Sequence, residues 1–174
     1  MEEKNMSNQT NVSQIKHEEF LFLGKEYSAD PGKELDFGQI FGNFFDTGGY
    51  EKIAPHEKNK DEHCCDTIVF YKKSPDYKTV YIGKIADGIN EAPEGHVLKT
   101  FPVSEFIVVT SEWKAEEGEA MDAVGENEKT MQPPNGYVKD ENSTYVCVEK
   151  MFYNPDKGHR WERWYPIIKR ILVQ

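Results

Sequence analysis

The sequence predicts an α+β fold made of two strand–helix–strand–strand (βαββ) halves, and two observations predict it. Phe20-Leu21-Phe22-Leu23 runs through Glu26-Tyr27 into a helix-like segment that ends near Gly49-Tyr50, and Phe106-Ile107-Val108-Val109 runs through Glu112-Trp113 into another that ends at Gly136-Tyr137. Phe20 and Phe106 lie 86 positions apart, as do Tyr27 and Trp113, and Tyr50 and Tyr137 lie 87 apart. The second observation is that each copy is followed by two further strand-like runs. A chain built this way tends to place a ligand in the crevice between its halves.

The elements follow in order. Residues 1–16 are polar and lack an apolar stretch, so they are expected to form a disordered tail rather than a signal peptide. Residues 17–174 form the expected domain, with halves at about 17–88 and 96–174. Glu19–Tyr27 reads as a strand, broken by Pro31-Gly32. From Lys33 on, Phe37, Ile40, Phe41, Phe44 and Phe45 fall at i, i+3, i+4, i+7 and i+8, one face of a helix. Gly48-Gly49 stops it. Glu51–Glu62 is charged and loop-like. Asp66–Lys73 and Tyr77–Ala86 read as a hairpin around Ser74-Pro75-Asp76.

Gly88–Gly95 links the halves. His96–Trp113 carries strand signals interrupted at Phe101-Pro102, because proline cannot donate to a central ladder. Lys114–Thr130 is the second helix, with Ala120, Met121, Val124 and Met131 toward its inner face, and Pro133-Pro134-Asn135-Gly136 ends it. Thr144–Tyr153 is a strand, Asn154–Gly158 a turn, and Arg160–Leu172 the last strand.

Composition bounds function. The 174 residues suffice for one domain with a core, and aromatic residues reach 13%. A net charge of −10 repels phosphate backbones, so direct nucleic-acid binding is not expected. No run of 18 apolar residues is present, so no membrane span is expected. Cys64, Cys65 and Cys147 do not make a disulfide framework and fit a reducing cytoplasm. His56, His63, Cys64 and Cys65 cluster in sequence, but adjacent cysteines rarely reach one metal, and neither a metal nor a cofactor is expected. Phosphate-loop and nucleophile-elbow patterns are missing.

Glu149 stands out. Within YVCVEKMFY, strand alternation puts Tyr145, Cys147, Glu149 and Met151 on one face. A carboxylate among apolar neighbours is costly unless it is paired, protonated or open to a cavity. The bland alternatives are a solvated face or a pair with a nearby Arg or Lys. On the last strand Trp161, Arg163 and Tyr165 alternate to one face. Rings around an acid could form a box for a flat or cationic ligand, although each ring taken singly reads equally as core. Cys147, mid-strand without an activating partner, reads as an inert thiol.

The order YKTVYIGKIA, GHVLKTFPVSEFIVV, Trp113, PPNGY, YVCVEKMF and RWERWYPIIK resembles a GyrI-like effector-binding domain, the ligand-binding unit of BmrR- and Rob-type transcription regulators that also occurs alone. The resemblance spans about residues 17–173. It implies two βαββ halves related by a pseudo-twofold axis, with antiparallel sheets forming a central groove lined by aromatics. It also implies a pocket glutamate on the penultimate strand. Val148-Glu149-Lys150-Met151 matches that pattern, with Met in place of an aromatic, and Trp164-Tyr165-Pro166-Ile167 matches the last strand's ending. The residues expected to line the groove are Glu149, Trp113, Tyr137, Tyr145, Met151, Trp161, Tyr165, Phe41 and Phe45.

Regulator members carry a DNA-binding domain ahead of this unit, which the short tail does not supply. The leading expectation is a stand-alone, cytoplasmic binding module for small hydrophobic or cationic molecules, acting as a sensor, a sequestering protein or a transcription-related effector domain. A second reading is a hydrolase of reactive hydrophobic natural products, with Glu149 as general base and Tyr165 or Tyr137 assisting. A third is an acidic module that inhibits a protein partner.

Overall fold

The computed structural model describes residues 11–60, 64–74 and 77–170, and among them every strand pairs antiparallel with its neighbour. The strands are β1 (Val12–His17), β2 (Phe20–Ser28), β3 (Cys64–Ser74), β4 (Tyr77–Ala86), β5 (Val97–Phe101), β6 (Ser104–Thr110), β7 (Tyr137–Lys139), β8 (Tyr145–Asn154) and β9 (Gly158–Lys169). Two helices, α1 (Phe37–Asp46) and α2 (Glu117–Lys129), complete an α+β architecture. The sheet order is β1-β6-β9-β8-β3-β4-β2-β5, with β7 paired to β9. Read inward from either side, β6-β9-β8 runs against β2-β4-β3, and the two trios meet at the β8–β3 pairing.

Local chemistry sets the elements. Asp36 caps α1, its Oδ1 accepting from the Gln39 amide at 3.0 Å, one turn into the helix. Ile40 and Phe44 on the inner face of α1 are buried. The helix ends into Gly48, whose φ of 66° lies in the left-handed region that only glycine adopts freely. Pro102 separates β5 from β6. Gly24 and Gly83 pair directly across β2 and β4, and a Cβ on either would collide with the other strand's backbone. The strands therefore approach there in a way that no side chain permits.

Both faces of the sheet are covered. On the helix side, Leu23, Val80, Ile82, Ile107 and Val109 pack with Ile40 and Phe44 of α1 and with Ala120 and Val124 of α2. On the other side Phe20, Phe22, Phe101, Phe106, Tyr145 and Trp164 form an aromatic cluster. In the sheet β5 lies four strand spacings from β8, about 19 Å if flat. Phe101 of β5 nevertheless meets Tyr145 of β8 at 5.2 Å between ring centroids. The sheet must curl around this cluster.

Two expectations are corrected. Residues 12–16, assigned to a disordered tail, belong to β1 and pair with β6 from Val12↔Val109 to His17↔Ser104. The cause is an otherwise open β6 edge: Val12 packs against the helix-side core and Ile15 against the aromatic cluster. Within the charged 51–62 stretch, Ile53 is fully buried and a 3₁₀ turn spans Ala54–His56. The strand β7 was not anticipated. Residues 1–10, His63, Pro75-Asp76 and Leu172 lie outside the described residues, as do the side chains of Cys64 and Cys65. Among the described residues no helix is long and apolar enough to cross a membrane.

The registers of the two trios agree at one chemically distinctive position. Leu23 of β2 pairs with Lys84 of β4, and Val109 of β6 pairs with Arg163 of β9. Leu23 and Val109 stand 86 positions apart. Each basic residue sits low in the structure beside carboxylates: Lys84, 3% exposed, is 3.4 Å from Glu57, and Arg163 meets two acids.

Candidate functional site

The β8–β9 hairpin carries most of the site. Asn154–Gly158 turns the chain, and a left-handed Gly158 (φ 87°) lies where a Cβ would strike the Lys114 carbonyl. The hairpin register then pairs Met151 with Trp161 and Glu149 with Arg163. Trp161 packs in the helix-side core and Tyr165 packs against it, so the alternation expected for β9 holds there.

Glu149 is buried, 8% exposed, and is not alone. Arg163 Nε donates to Glu149 Oε1 at 2.7 Å, and Arg163 Nη1 donates to Glu128 Oε2 of α2 at 2.7 Å. One guanidinium thus ties two strands and a helix through charge-assisted bonds. Burial pushes the Glu149 carboxyl above the usual carboxylate range, and the attraction of Arg163 only partly opposes this. Burial likewise raises the Tyr165 hydroxyl, which hydrogen-bonds Glu128. Burial holds the Cys147 thiol up as well, so it is an inert neutral group rather than a nucleophile.

Beside this network a groove of about 430 Å³ opens between α1 and the hairpin. Phe41 and Phe45 come from α1, Met151 and Tyr153 from β8, Trp161 and Arg160 from β9, and Glu117 from the start of α2. Phe45 is 52% exposed, which leaves its ring on the rim. The Trp161 indole Nε1 is buried without a hydrogen-bond partner. Apolar walls with a few polar groups suit a small hydrophobic ligand.

The expected site residues divide. Phe41, Phe45, Met151 and Trp161 line the groove together. Glu149 and Tyr165 sit farther along the same face, joined through Arg163 and Glu128. Trp113 lies elsewhere, in a cleft of about 430 Å³ with Lys150, Arg160 and Trp164, where Arg160 stacks 5.2 Å from the Trp113 ring centre. Tyr137 is at the far end of β9, paired with Lys169 and bonded to Glu105.

Tyr145 is on the opposite face from Glu149, in the aromatic cluster. The cause is a β-bulge: Val148 pairs with Val69 but Tyr145 with Tyr71, so β8 spends one extra residue there. Val146 is left exposed and the alternation reverses. Arg163 stands on the face expected for it and makes the Arg pair that was one alternative for Glu149, while Glu128 was not among the candidates. The symmetry of the hairpin about its Asn154–Gly158 turn was the available signal for Arg163.

No protein-family model matches the chain, and no curated protein matches it in sequence. Solved structures do match in shape. SAV2435 bound to tetraphenylphosphonium superposes with a TM-score of 0.68 at 9% identity, over 90% of this chain and 93% of that one. A putative transcription regulation protein from Staphylococcus aureus gives 0.61 at 10% identity, over 90% and 97%. The C-terminal domain of EcmrR gives 0.56 at 12% identity, over 91% and 98%. Against EcmrR in its DNA complex the chain covers 57% of the longer protein, with a TM-score of 0.61 at 10% identity. The chain shares their fold. That agrees with the GyrI-like resemblance read from its residues.

Proposed function

We propose that this protein is a binding module for small hydrophobic molecules, cationic ones included, of the GyrI-like effector-binding kind. The observation that carries the reading is the groove between α1 and the β8–β9 hairpin, walled by Phe41, Phe45, Met151 and Trp161, with a buried carboxylate two residues along the same strand face. A fold neighbour that was solved with a lipophilic cation supports it. A fold neighbour named as a transcription regulation protein, and another solved as a longer chain in complex with DNA, support a link between such binding and transcription, with sensing or sequestering as the role of this unit.

We further infer that the fold arose from two βαββ halves. The opposed strand orders β6-β9-β8 and β2-β4-β3, and the equivalent placement of Lys84 and Arg163, support that inference. The hydrolase reading gains nothing from the geometry. Glu149 is not among the residues that line the groove, and one of its carboxylate oxygens accepts from Arg163, so no observation aims it at a substrate as a general base.

Thermal unfolding with a panel of aryl phosphonium and neutral aryl compounds tests the reading. A ligand that binds only the folded chain raises the midpoint in a concentration-dependent way. No shift for any hydrophobic compound up to its solubility would count against a binding module.

A further inference from the structure

Arg163 is a cation held beside the groove, one same-face position along the strands from the Met151–Trp161 pair that lines it. Its Nε lies 2.7 Å from Glu149 and its Nη1 2.7 Å from Glu128, so three charges share one small region. Guanidinium stays protonated at every relevant pH. The same-face neighbours of the Glu149↔Arg163 pair are Met151 and Trp161, which line the groove. Two residues along a strand span about 7 Å, so the charge cluster lies within about 7 Å of the groove floor. At that range the fields of Glu149 and Arg163 largely cancel, so this cluster adds one net negative charge rather than two to a groove whose own lining carries Glu117 and Arg160.

The resident cation is also hard to evict. A tetra-substituted phosphonium carries no N–H and cannot replace the hydrogen bond that Arg163 gives Glu149. Glu128 holds the other arm of the guanidinium, so Arg163 is anchored to α2 while it covers the acid.

We propose that Arg163 is the specificity-determining residue of this groove: by occupying Glu149 it makes the native site accept neutral and cationic hydrophobic ligands alike, and its removal makes the site cation-selective. The proposal rests on the groove being the ligand site and goes beyond it by assigning the charge preference.

The test uses two nearly isosteric probes, methyltriphenylphosphonium and triphenylphosphine oxide, titrated calorimetrically at pH 8 against four proteins. These are the native chain, Arg163→Met, Glu149→Gln and the double variant. The readout is the ratio of phosphonium to oxide affinity. The native chain and the double variant should agree within about threefold, since each leaves one net negative charge at the site. Arg163→Met should raise the ratio about tenfold or more, and Glu149→Gln should lower it, with oxide affinity nearly constant throughout.

If Arg163→Met does not fold, the pair Glu149→Gln and the double variant decides, because they differ only in the guanidinium and neither leaves the more deeply buried Glu149 carboxylate unpaired. The ratio should then be higher in the double variant. A ratio indifferent to position 163 in both comparisons overturns the proposal while the groove still binds. Failure of every variant to bind either probe overturns the groove reading and the proposal with it.

Discussion

Arg163 and Glu149 face each other directly across β9 and β8, with 2.7 Å between Nε and Oε1. The pair joins the strand floor to α2, because the same guanidinium reaches Glu128. A buried carboxylate in an apolar strand is thereby made tolerable, as physical chemistry requires of it.

Breaking that pair from one side should destabilise the fold. Arg163→Met strands Glu149, and Arg163 is itself only half-buried, so a loss of about 1–3 kcal/mol is expected rather than the larger cost of a fully buried pair. Adding Glu149→Gln should recover part of it. Urea unfolding of the native, single and double variants gives the coupling. Additive losses would mean that the two side chains do not interact energetically.

The pH dependence follows from the sign of the Glu149 shift. Its folded carboxyl titrates above the ordinary value of 4.5 because of burial. The folded state therefore holds the proton more tightly than the unfolded one. Its contribution to stability is fully present below pH 4.5 and declines as pH rises through the folded pKa. Unfolding free energies of the native chain and Glu149→Gln, compared from pH 4 upward, should show the native advantage shrinking with pH. An advantage that grows with pH would mean that Arg163 outweighs burial.

Adjacent phenylalanines on α1 should behave oppositely. Phe44 is fully buried, so Phe44→Ala should cost about 3–5 kcal/mol of stability. Phe45 is half-exposed on the groove rim, so Phe45→Ala should change stability by less than about 0.5 kcal/mol while weakening ligand binding. Chemical denaturation beside probe titration separates the two effects. Equal stability losses would place Phe45 in the core.

Helix α1 was legible because five apolar residues repeat at helical spacing, although its start at Phe37 rather than Lys33 is set by the Asp36 cap. The strands β2, β4, β6, β8 and β9 were legible from runs of β-branched and aromatic residues. Trp161 and Met151 followed from alternation. Tyr145 did not, because a bulge adds a residue without leaving any mark in the sequence, and one added residue reverses the face. Trp113 sits past the end of β6, where strand alternation no longer governs direction. β1 is short and half polar, and it owes its existence to an edge on β6 that is more than 80 residues away in the chain.

That last point is testable. A chain beginning at Glu18 lacks β1 and exposes the β6 ladder, along with the surface that Val12 and Ile15 cover. It should lose about 1–3 kcal/mol, the scale of burying one aliphatic side chain plus a few ladder bonds. Hydrogen exchange should accelerate at Ser104–Thr110. Unchanged stability and exchange would mean that the β1 pairing is energetically idle.

The central claim is that a hydrophobic ligand occupies the groove between α1 and the β8–β9 hairpin. The most direct measurement is a crystal structure of the protein with saturating methyltriphenylphosphonium. The account predicts the aryl rings between Phe45 of α1 and Trp161 of β9, with the phosphonium nearest the Glu149–Arg163 side. A ligand seated instead beside Trp113 and Trp164 on the opposite face of the sheet would contradict it.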